Sequence, residues 1–112
     1  MKQKQLVRAR FRDAVFKRDR HKCVFCDRTD NLDAHHITDR NEMPNGGYVP
    51  SNGITLCEVH HPMAEEFHIS GGTSWAPNMH PNDLYQKIDS SYARAYADST
   101  STYRALNENH IR

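Results

Sequence analysis

The feature that most constrains this chain is a set of four metal-competent side chains in two closely spaced pairs. Cys23 and Cys26 are separated by two residues, and Cys57 and His60 repeat that spacing further along the chain. A tight turn between two such residues brings both ligand atoms to one face. A single Cys-x-x-Cys pair is weak evidence because redox motifs share it, but two matched pairs predict a tetrahedral zinc site. Three thiolates and one imidazole leave no open position, so we expect this zinc to be structural.

Length and composition fit one small domain that gains stability from such a metal. The chain has 112 residues, and 37% of them are hydrophobic, so it can bury only a modest core. Three cysteines are an odd number, which argues against a closed disulfide framework and for metal binding in a reducing compartment. The first thirteen residues lack the apolar core of a signal peptide, and no run is apolar enough for a membrane span. We therefore expect a cytoplasmic protein with no membrane partner.

The formal net charge of +1 hides a strong asymmetry along the chain. Residues 1–22 hold nine Lys or Arg and two Asp, whereas the remaining residues hold six Lys or Arg and twelve Asp or Glu. A basic arm beside a metal centre suits a polyanion such as nucleic acid, because phosphate neutralisation dominates such affinity. A solvated helix face without a partner explains the charge equally well.

The pattern of apolar residues predicts a helix before the metal-binding segment. Residues 5–19 carry apolar side chains at three- to five-residue steps, with Arg and Lys between them: Leu6, Val7, Phe11, Val15 and Phe16. We expect this stripe to pack on the domain and the basic face, including Arg8 and Arg12, to face water or phosphate.

Two short strands and a long loop follow. Residues 32–37 and 53–56 are partly β-branched and bounded by turn formers, which predicts a hairpin. The connection, residues 38–51, is rich in Asn, Gly and Pro and long for a small domain, which is typical of functional loops. Arg40 and Tyr48 in this loop are candidate phosphate or sugar contacts, although solvated loop residues would look the same.

The second half of the chain predicts two more helices. One begins at Pro62, which suits a first helical turn, and runs to His68. Another covers residues 82–97 with an N-cap at Asn82. The predicted organisation is one α+β domain over residues 1–97, with its zinc-clamped core at 23–68, followed by a polar, mobile tail over 98–112.

The stretch from residue 23 to residue 61 resembles the HNH endonucleases, also called His-Me finger or ββα-metal nucleases, in their zinc-stapled form. The likeness rests on a His-His doublet, a Gly-Gly turn, Asn-x-x-x-Leu-Cys and a closing Cys-x-x-His-His. The three signature positions of the family fall on His36, Asn52 and His61. Many relatives close the second zinc pair with cysteine where this chain has His60, and some carry a histidine where it has Glu65. The resemblance implies a small ββα-metal domain with flanking N- and C-terminal helices.

The resemblance also implies a reaction. His36 would be the general base, because imidazole titrates near working pH, and Asn52 would orient it. Strand alternation places His35 on the opposite face, where it would bind a catalytic Mg²⁺, Mn²⁺ or Ni²⁺ together with His61 and Glu65. Glu66 and His68 are weaker candidates. The products would carry 5′-phosphate and 3′-hydroxyl ends, and Arg8, Arg12 and Arg40 would contact the nucleic acid.

These features predict a metal-dependent DNA endonuclease that nicks or cuts both strands with low sequence specificity. Specificity could come from a protein partner, because the chain has no room for a separate DNA-reading domain. Some family members assist genome packaging in phages, which is one further possible context. The alternative is a non-catalytic zinc module that binds nucleic acid or a protein. Retention of His36, Asn52 and His61 favours the enzyme, because a binding module needs no base beside a second metal site.

Overall fold

The computed structural model describes residues 2–111 of the chain and the side chains of residues 4–101. Within that range the chain forms four α-helices and a two-stranded antiparallel sheet, so the α+β class is confirmed. The elements in chain order are α1 (Lys2–Arg18), β1 (Leu32–His36), β2 (Gly53–Cys57), α2 (His60–Ile69), α3 (Pro81–Lys87) and α4 (Tyr92–Ile111). None of the helices in this range has the length and apolarity needed to cross a membrane.

The sheet sits between α1 on one side and α2 on the other. Leu32 pairs with Cys57 and His36 with Gly53, so the hairpin brings the metal-binding end of β2 beside the start of β1. Every residue of β2 is buried, whereas in β1 only His35 is. Successive side chains of a strand point to opposite faces, which sends His35 and His36 to different sides of the sheet.

Helix α1 packs closely on the sheet through its C-terminal half. Phe11, Val15 and Phe16 are buried as predicted, but Leu6 is 48% exposed, so the apolar stripe extends beyond the surface that the sheet offers. A Cβ at Gly53 would lie 2.5 Å from a methyl group of Val15, so only glycine permits this approach. The helix end is tied to β2 by polar contacts as well, since Asp19 accepts a 2.9 Å hydrogen bond from the amide of Thr55.

The loop between the strands contains three short 3₁₀ turns, Arg40–Glu42, Pro44–Gly47 and Pro50–Asn52. Gly46 and Gly47 both have positive φ, 83° and 64°, in agreement with the predicted turn. Helix α4 holds this loop from outside: the Ser51 hydroxyl donates to Asp98 at 2.7 Å, and Asn45 donates to the carbonyl of Ser99 at 3.3 Å.

The predicted helix over residues 82–97 is two helices. Asp89 adopts a left-handed conformation with φ 54°, and the amide of Ser90 donates to the carbonyl of Tyr85 at 2.9 Å, which ends α3. Asp and Ser compete with the helix for backbone hydrogen bonds, and two serines follow Asp89 here. The N-cap is His80 rather than Asn82, because the His80 side chain accepts from the Asn82 amide at 3.1 Å.

Helix α4 also runs beyond the predicted boundary at residue 97, up to Ile111. The expected mobile tail over 98–112 therefore begins within a helix. Most of its side chains, those of residues 102–112, lie outside the described ones.

Candidate functional site

The four residues of the two spaced pairs meet in one cluster. Their ligand atoms all lie within 4.8 Å of one another, with Cys23 and Cys57 buried and Cys26 at the surface. The Sγ atoms of Cys26 and Cys57 are 3.7 Å apart, and the Nδ1 atom of His60 is 3.6 Å from Cys23 Sγ and 3.3 Å from Cys57 Sγ. Tetrahedral zinc with Zn–S bonds of about 2.3 Å and Zn–N bonds of about 2.0 Å needs edges of about 3.8 and 3.5 Å. The cluster can therefore hold a metal ion such as zinc.

Local backbone structure presents these ligands. The turn that carries Cys23 and Cys26 is closed by the Cys23 amide, which donates to the carbonyl of Arg28 at 2.8 Å. The Val24 amide then donates to the carbonyl of Thr55 at 3.1 Å, which attaches the turn to β2. Burial opposes ionisation of Cys57, but hydrogen bonds from the backbone and side chain of His60 outweigh it and lower the pKa of the thiol to about 6. A thiol with that pKa is ready to bind a cation as thiolate.

A second cluster lies on the other side of the sheet from α1. His35 from β1 meets Glu65 and His68 from α2, and their ligand atoms also lie within 4.8 Å of one another. His35 is 2% exposed, and its Nδ1 atom is 3.7 Å from Glu65 Oε1. The rings of His35 and His68 are stacked with centroids 5.3 Å apart. We call these three residues the His-Glu-His cluster.

The hydrogen bonds of His68 determine which of its ring nitrogens can act as a ligand. Its Nε2 atom lies 3.0 Å from the carbonyl oxygen of His36, which can only accept, so Nε2 carries the proton. In the neutral ring, Nδ1 then has a free lone pair. This Nδ1 and the Nε2 of His35 are both buried without a hydrogen-bond partner among the described residues. Buried polar atoms normally find partners, so these two nitrogens, on residues that also approach Glu65, are suited to bind a metal ion.

Glu65 is the electrostatic centre of this region. The imidazoles of His35, 3.7 Å away, and His61, 3.1 Å away, hold the pKa of its carboxyl well below the ordinary value. Glu65 Oε1 lies 3.1 Å from His61 Nε2, and this contact raises the pKa of His61. Asp33 Oδ2, 3.4 Å from His61 Nδ1, raises it further. Burial lowers the pKa of His35, which favours the neutral imidazole that a metal needs.

The predicted cation ligands were His35, His61 and Glu65. The structure brings all three side chains together, but the group with mutually close ligand atoms contains His68 in place of His61. His61 instead lies between Asp33 and Glu65. A signal for His68 was present in the sequence, because it follows His61 by seven residues, which is two helical turns on the same face.

His36 lies on the opposite face of β1, as strand alternation predicts. Its ring stacks on Phe11 of α1 with centroids 4.5 Å apart and meets the edge of Tyr48 at 4.8 Å. Burial, together with the nearby His35 and Arg40, lowers the pKa of His36 to about 4. Its imidazole is therefore neutral at neutral pH, and its buried Nε2 has no hydrogen-bond partner among the described residues.

Asn52 is fully buried and uses both ends of its amide. Its Nδ2 donates to the carbonyl oxygens of Thr38 at 3.0 Å and Gly47 at 3.2 Å. Its Oδ1 accepts from the amide of Thr38 at 3.0 Å and from the hydroxyl of Tyr85 at 2.8 Å. The Asn52 side chain thus bridges the loop at Gly47 and the backbone of Thr38, two residues after His36. The sequence pattern does not predict the contact with Tyr85, because its helix follows the core in the sequence.

The three arginines predicted to contact nucleic acid fall into two places. Arg40 and Arg8 both reach Tyr48, where burial raises the pKa of the phenol but hydrogen bonds from the two arginines outweigh it and lower the pKa. They therefore lie on the His36 side of the sheet. Arg12 extends over the ring of Phe16, 5.0 Å from its centroid.

Comparison of the chain with protein-family models, with curated proteins and with solved structures finds no match.

Proposed function

We propose that this protein is a metal-dependent endonuclease that hydrolyses phosphodiester bonds in DNA. In this proposal the Cys23, Cys26, Cys57 and His60 cluster holds a structural zinc, and the His-Glu-His cluster holds the divalent cation of the reaction. The observation that carries the proposal is that His35 and His68, each with a buried and unpaired ring nitrogen, meet Glu65 with ligand atoms within 4.8 Å of one another. The resemblance to HNH endonucleases agrees with this assignment.

The donor set suits an open catalytic site. Two imidazoles and one carboxylate leave positions for water and a phosphate oxygen, and they can hold Mg²⁺, Mn²⁺ or Ni²⁺. When bound, the cation would supply Lewis-acid stabilisation of the charge that develops on the phosphate. The fixed tautomer of His68, set by its bond to the carbonyl of His36, presents a lone pair to that ion.

His36 is the proposed general base. Its pKa of about 4 keeps the ring unprotonated at neutral pH, but a base with this pKa accepts a proton more weakly than an imidazole that titrates near neutral pH. Phe11 and Tyr48 hold the ring in a fixed orientation, and Asn52 fixes the backbone that follows it. A base held in this way can take a proton from water attacking the scissile phosphate.

We assign His61 a different role from the one its signature position implies. It hydrogen-bonds to Glu65 from the Asp33 side, so it orients this carboxylate toward the cation and balances its charge. This role is consistent with its absence from the mutually close group.

A nucleic acid is the substrate that the charge distribution fits. Arg8 and Arg40 converge near Tyr48 and His36, and the α1 helix that supplies Arg8 is the most basic part of the chain. Phosphates on either side of the cut could contact these guanidinium groups, which gives affinity without sequence selection.

Cleavage of supercoiled plasmid by zinc-loaded protein tests the proposal. We expect nicking with Mg²⁺, Mn²⁺ or Ni²⁺ that stops when EDTA is added. His36→Ala should abolish nicking while it retains zinc, and His21→Ala, which changes an exposed histidine, should cut like the parent protein. If the parent binds DNA but cuts it with none of these metals, the protein is instead a non-catalytic nucleic-acid-binding zinc module.

A further inference from the structure

Tyr85 makes a contact that links the C-terminal helices to the candidate active site. It lies in α3, outside the hairpin and α2, and its side chain is 2% exposed. Its hydroxyl lies 2.8 Å from Asn52 Oδ1 and 2.6 Å from Thr38 Oγ1. No other described side chain donates a hydrogen bond to the Asn52 amide oxygen.

The direction of each hydrogen bond follows from the donors available. The Oδ1 atom of Asn52 can only accept, so the single proton of Tyr85 is donated to it. The Thr38 hydroxyl must then donate its proton to the Tyr85 oxygen. Asn52 Oδ1 therefore receives two donors, the Tyr85 hydroxyl and the Thr38 amide, and every hydroxyl in this triad has a defined orientation.

These contacts end two residues from His36. The amide of Ile37 donates to the backbone carbonyl of Asn52 at 2.9 Å, and both backbone groups of Thr38 bond to the Asn52 side chain. A rotation of the Asn52 amide would break all of the side-chain bonds at once. The backbone forbids that rotation, because a rotated amide would present Nδ2 to the Thr38 amide, which only donates, and Oδ1 to two carbonyl oxygens, which only accept. The Tyr85 hydroxyl adds a further hydrogen bond to the orientation that the backbone selects.

We propose that Tyr85 is a positioning residue for the reaction, which acts through Asn52 and Thr38 to hold the backbone that carries His36. This inference rests on the proposed nuclease function. It assigns the C-terminal helices a part in catalysis: α3 supplies the hydroxyl that fixes Asn52, and α4 holds the neighbouring loop at Ser51 through Asp98.

The ionisation of Tyr85 supports this role. Burial raises its pKa to about 12, so the hydroxyl keeps its proton across the range in which a nuclease works. A donor that never ionises in this range gives Asn52 the same orientation at every working pH.

The Tyr85→Phe variant removes one oxygen and keeps the ring. We expect the single-turnover rate of plasmid nicking to fall about tenfold, the effect of losing one buried hydrogen bond that acts on the transition state. DNA affinity and zinc content should not change. Hydrogen exchange of the Thr38 amide, measured by NMR, should become faster, because its acceptor is no longer fixed.

The Ile88→Val variant is the matched control for lost stability. Ile88 packs against the core just after α3, and removal of one methylene there destabilises the fold without removing a hydroxyl. We expect its nicking rate to equal that of the parent. The exchange rate of its Thr38 amide should also equal that of the parent, once both rates are corrected for the difference in global unfolding.

Two results would overturn the inference. One is a Tyr85→Phe variant that nicks at the parental rate, or that loses no more activity and Thr38 protection than Ile88→Val. The other is a parent protein that fails to cut DNA with any of the metals tested, because the reaction that Tyr85 would serve is then absent. In that second case Thr38 exchange in Tyr85→Phe still shows whether the contact holds the backbone, so failure of the function and failure of the contact are distinguished.

Discussion

The side chain of Asn52 pairs with the backbone of Thr38 through two hydrogen bonds of 3.0 Å, one to its amide and one to its carbonyl. The strand pairing ends at His36 and Gly53. Beyond that point the Asn52 side chain makes the two hydrogen bonds that the backbone of a strand residue would otherwise make. Both backbone groups of Thr38 are therefore paired, as they would be in a strand, although the residue lies in a loop. A general base needs a backbone held in this way, because small misplacements of catalytic groups are costly.

Gly47→Ala should disrupt this pairing. Gly47 has φ 64°, and a Cβ there would lie 2.6 Å from Asn52 Nδ2 and 2.7 Å from Met43 Cγ. We expect a loss of about 3 kcal/mol in the free energy of unfolding, from backbone strain and overpacking together. Chemical denaturation of the zinc-loaded protein measures it.

Gly71→Ala is the control for that experiment, because Gly71 has nearly the same φ, 66°, but nothing lies within 4 Å of its Cβ position. It should lose only about 1 kcal/mol, the cost of backbone strain. Equal losses of unfolding free energy in the two variants would show that a Cβ at Gly47 does not disturb Asn52.

Removal of the metal from the cluster of Cys23, Cys26, Cys57 and His60 should unfold the domain. The four ligands come from the turn after α1, the end of β2 and the start of α2, so the ion joins elements that share only a modest core. We expect one zinc per chain by elemental analysis and loss of helical circular dichroism on chelation. Cys57→Ser should lose the zinc, whereas His61→Gln, next to a ligand but outside the cluster, should keep it. Full zinc content in Cys57→Ser would contradict this ligand set.

The two remaining histidines of α2 should differ in their effect on cation binding. We expect His68→Gln to weaken binding of Mn²⁺ to zinc-loaded protein at least about tenfold, because it removes a direct ligand. His61→Gln should weaken it less, because His61 contacts the cluster only through Glu65. Electron paramagnetic resonance of free Mn²⁺ measures both affinities. A larger loss in His61→Gln would return the ligand role to His61.

The pKa of Tyr85 predicts a pH-dependent contribution to stability at high pH. The folded value, about 12, exceeds the ordinary value of 10.0, so the folded state favours the protonated phenol. That contribution is complete below about pH 10 and declines as the pH rises toward 12. The difference in unfolding free energy between parent and Tyr85→Phe should therefore shrink from pH 9 to about pH 11 in urea titrations. A difference that stays constant over this range would contradict the raised pKa.

The sequence predicted well those features that depend on local spacing. The two ligand pairs around Cys23 and Cys57 meet as their spacing indicates, and strand alternation correctly separates His35 from His36. Glycine and asparagine at positive φ mark the turn at residues 45–47. Each of these features depends on residues close in the chain or on two strands joined by one loop.

Features that depend on tertiary contacts were missed. Tyr85 reaches Asn52 from an element 33 residues away, and no pattern in the sequence indicates that pairing. Tyr92 and Tyr96 continue the apolar spacing of residues 82–97 but are about half exposed; α3 ends at Lys87, and both tyrosines lie in a separate helix, α4. Whether a stripe is buried depends on the packing surface available to it, which the sequence does not specify.

The most direct test of the central claim compares cation binding with cleavage in one variant. The claim is that the cation bound by the His-Glu-His cluster and the base His36 serve one reaction. Mn²⁺ affinity and single-turnover nicking would be measured for zinc-loaded parent, His35→Ala and His36→Ala. We predict that His35→Ala loses both, whereas His36→Ala binds Mn²⁺ like the parent and does not nick. Parental nicking by His36→Ala at saturating Mn²⁺ would contradict the account.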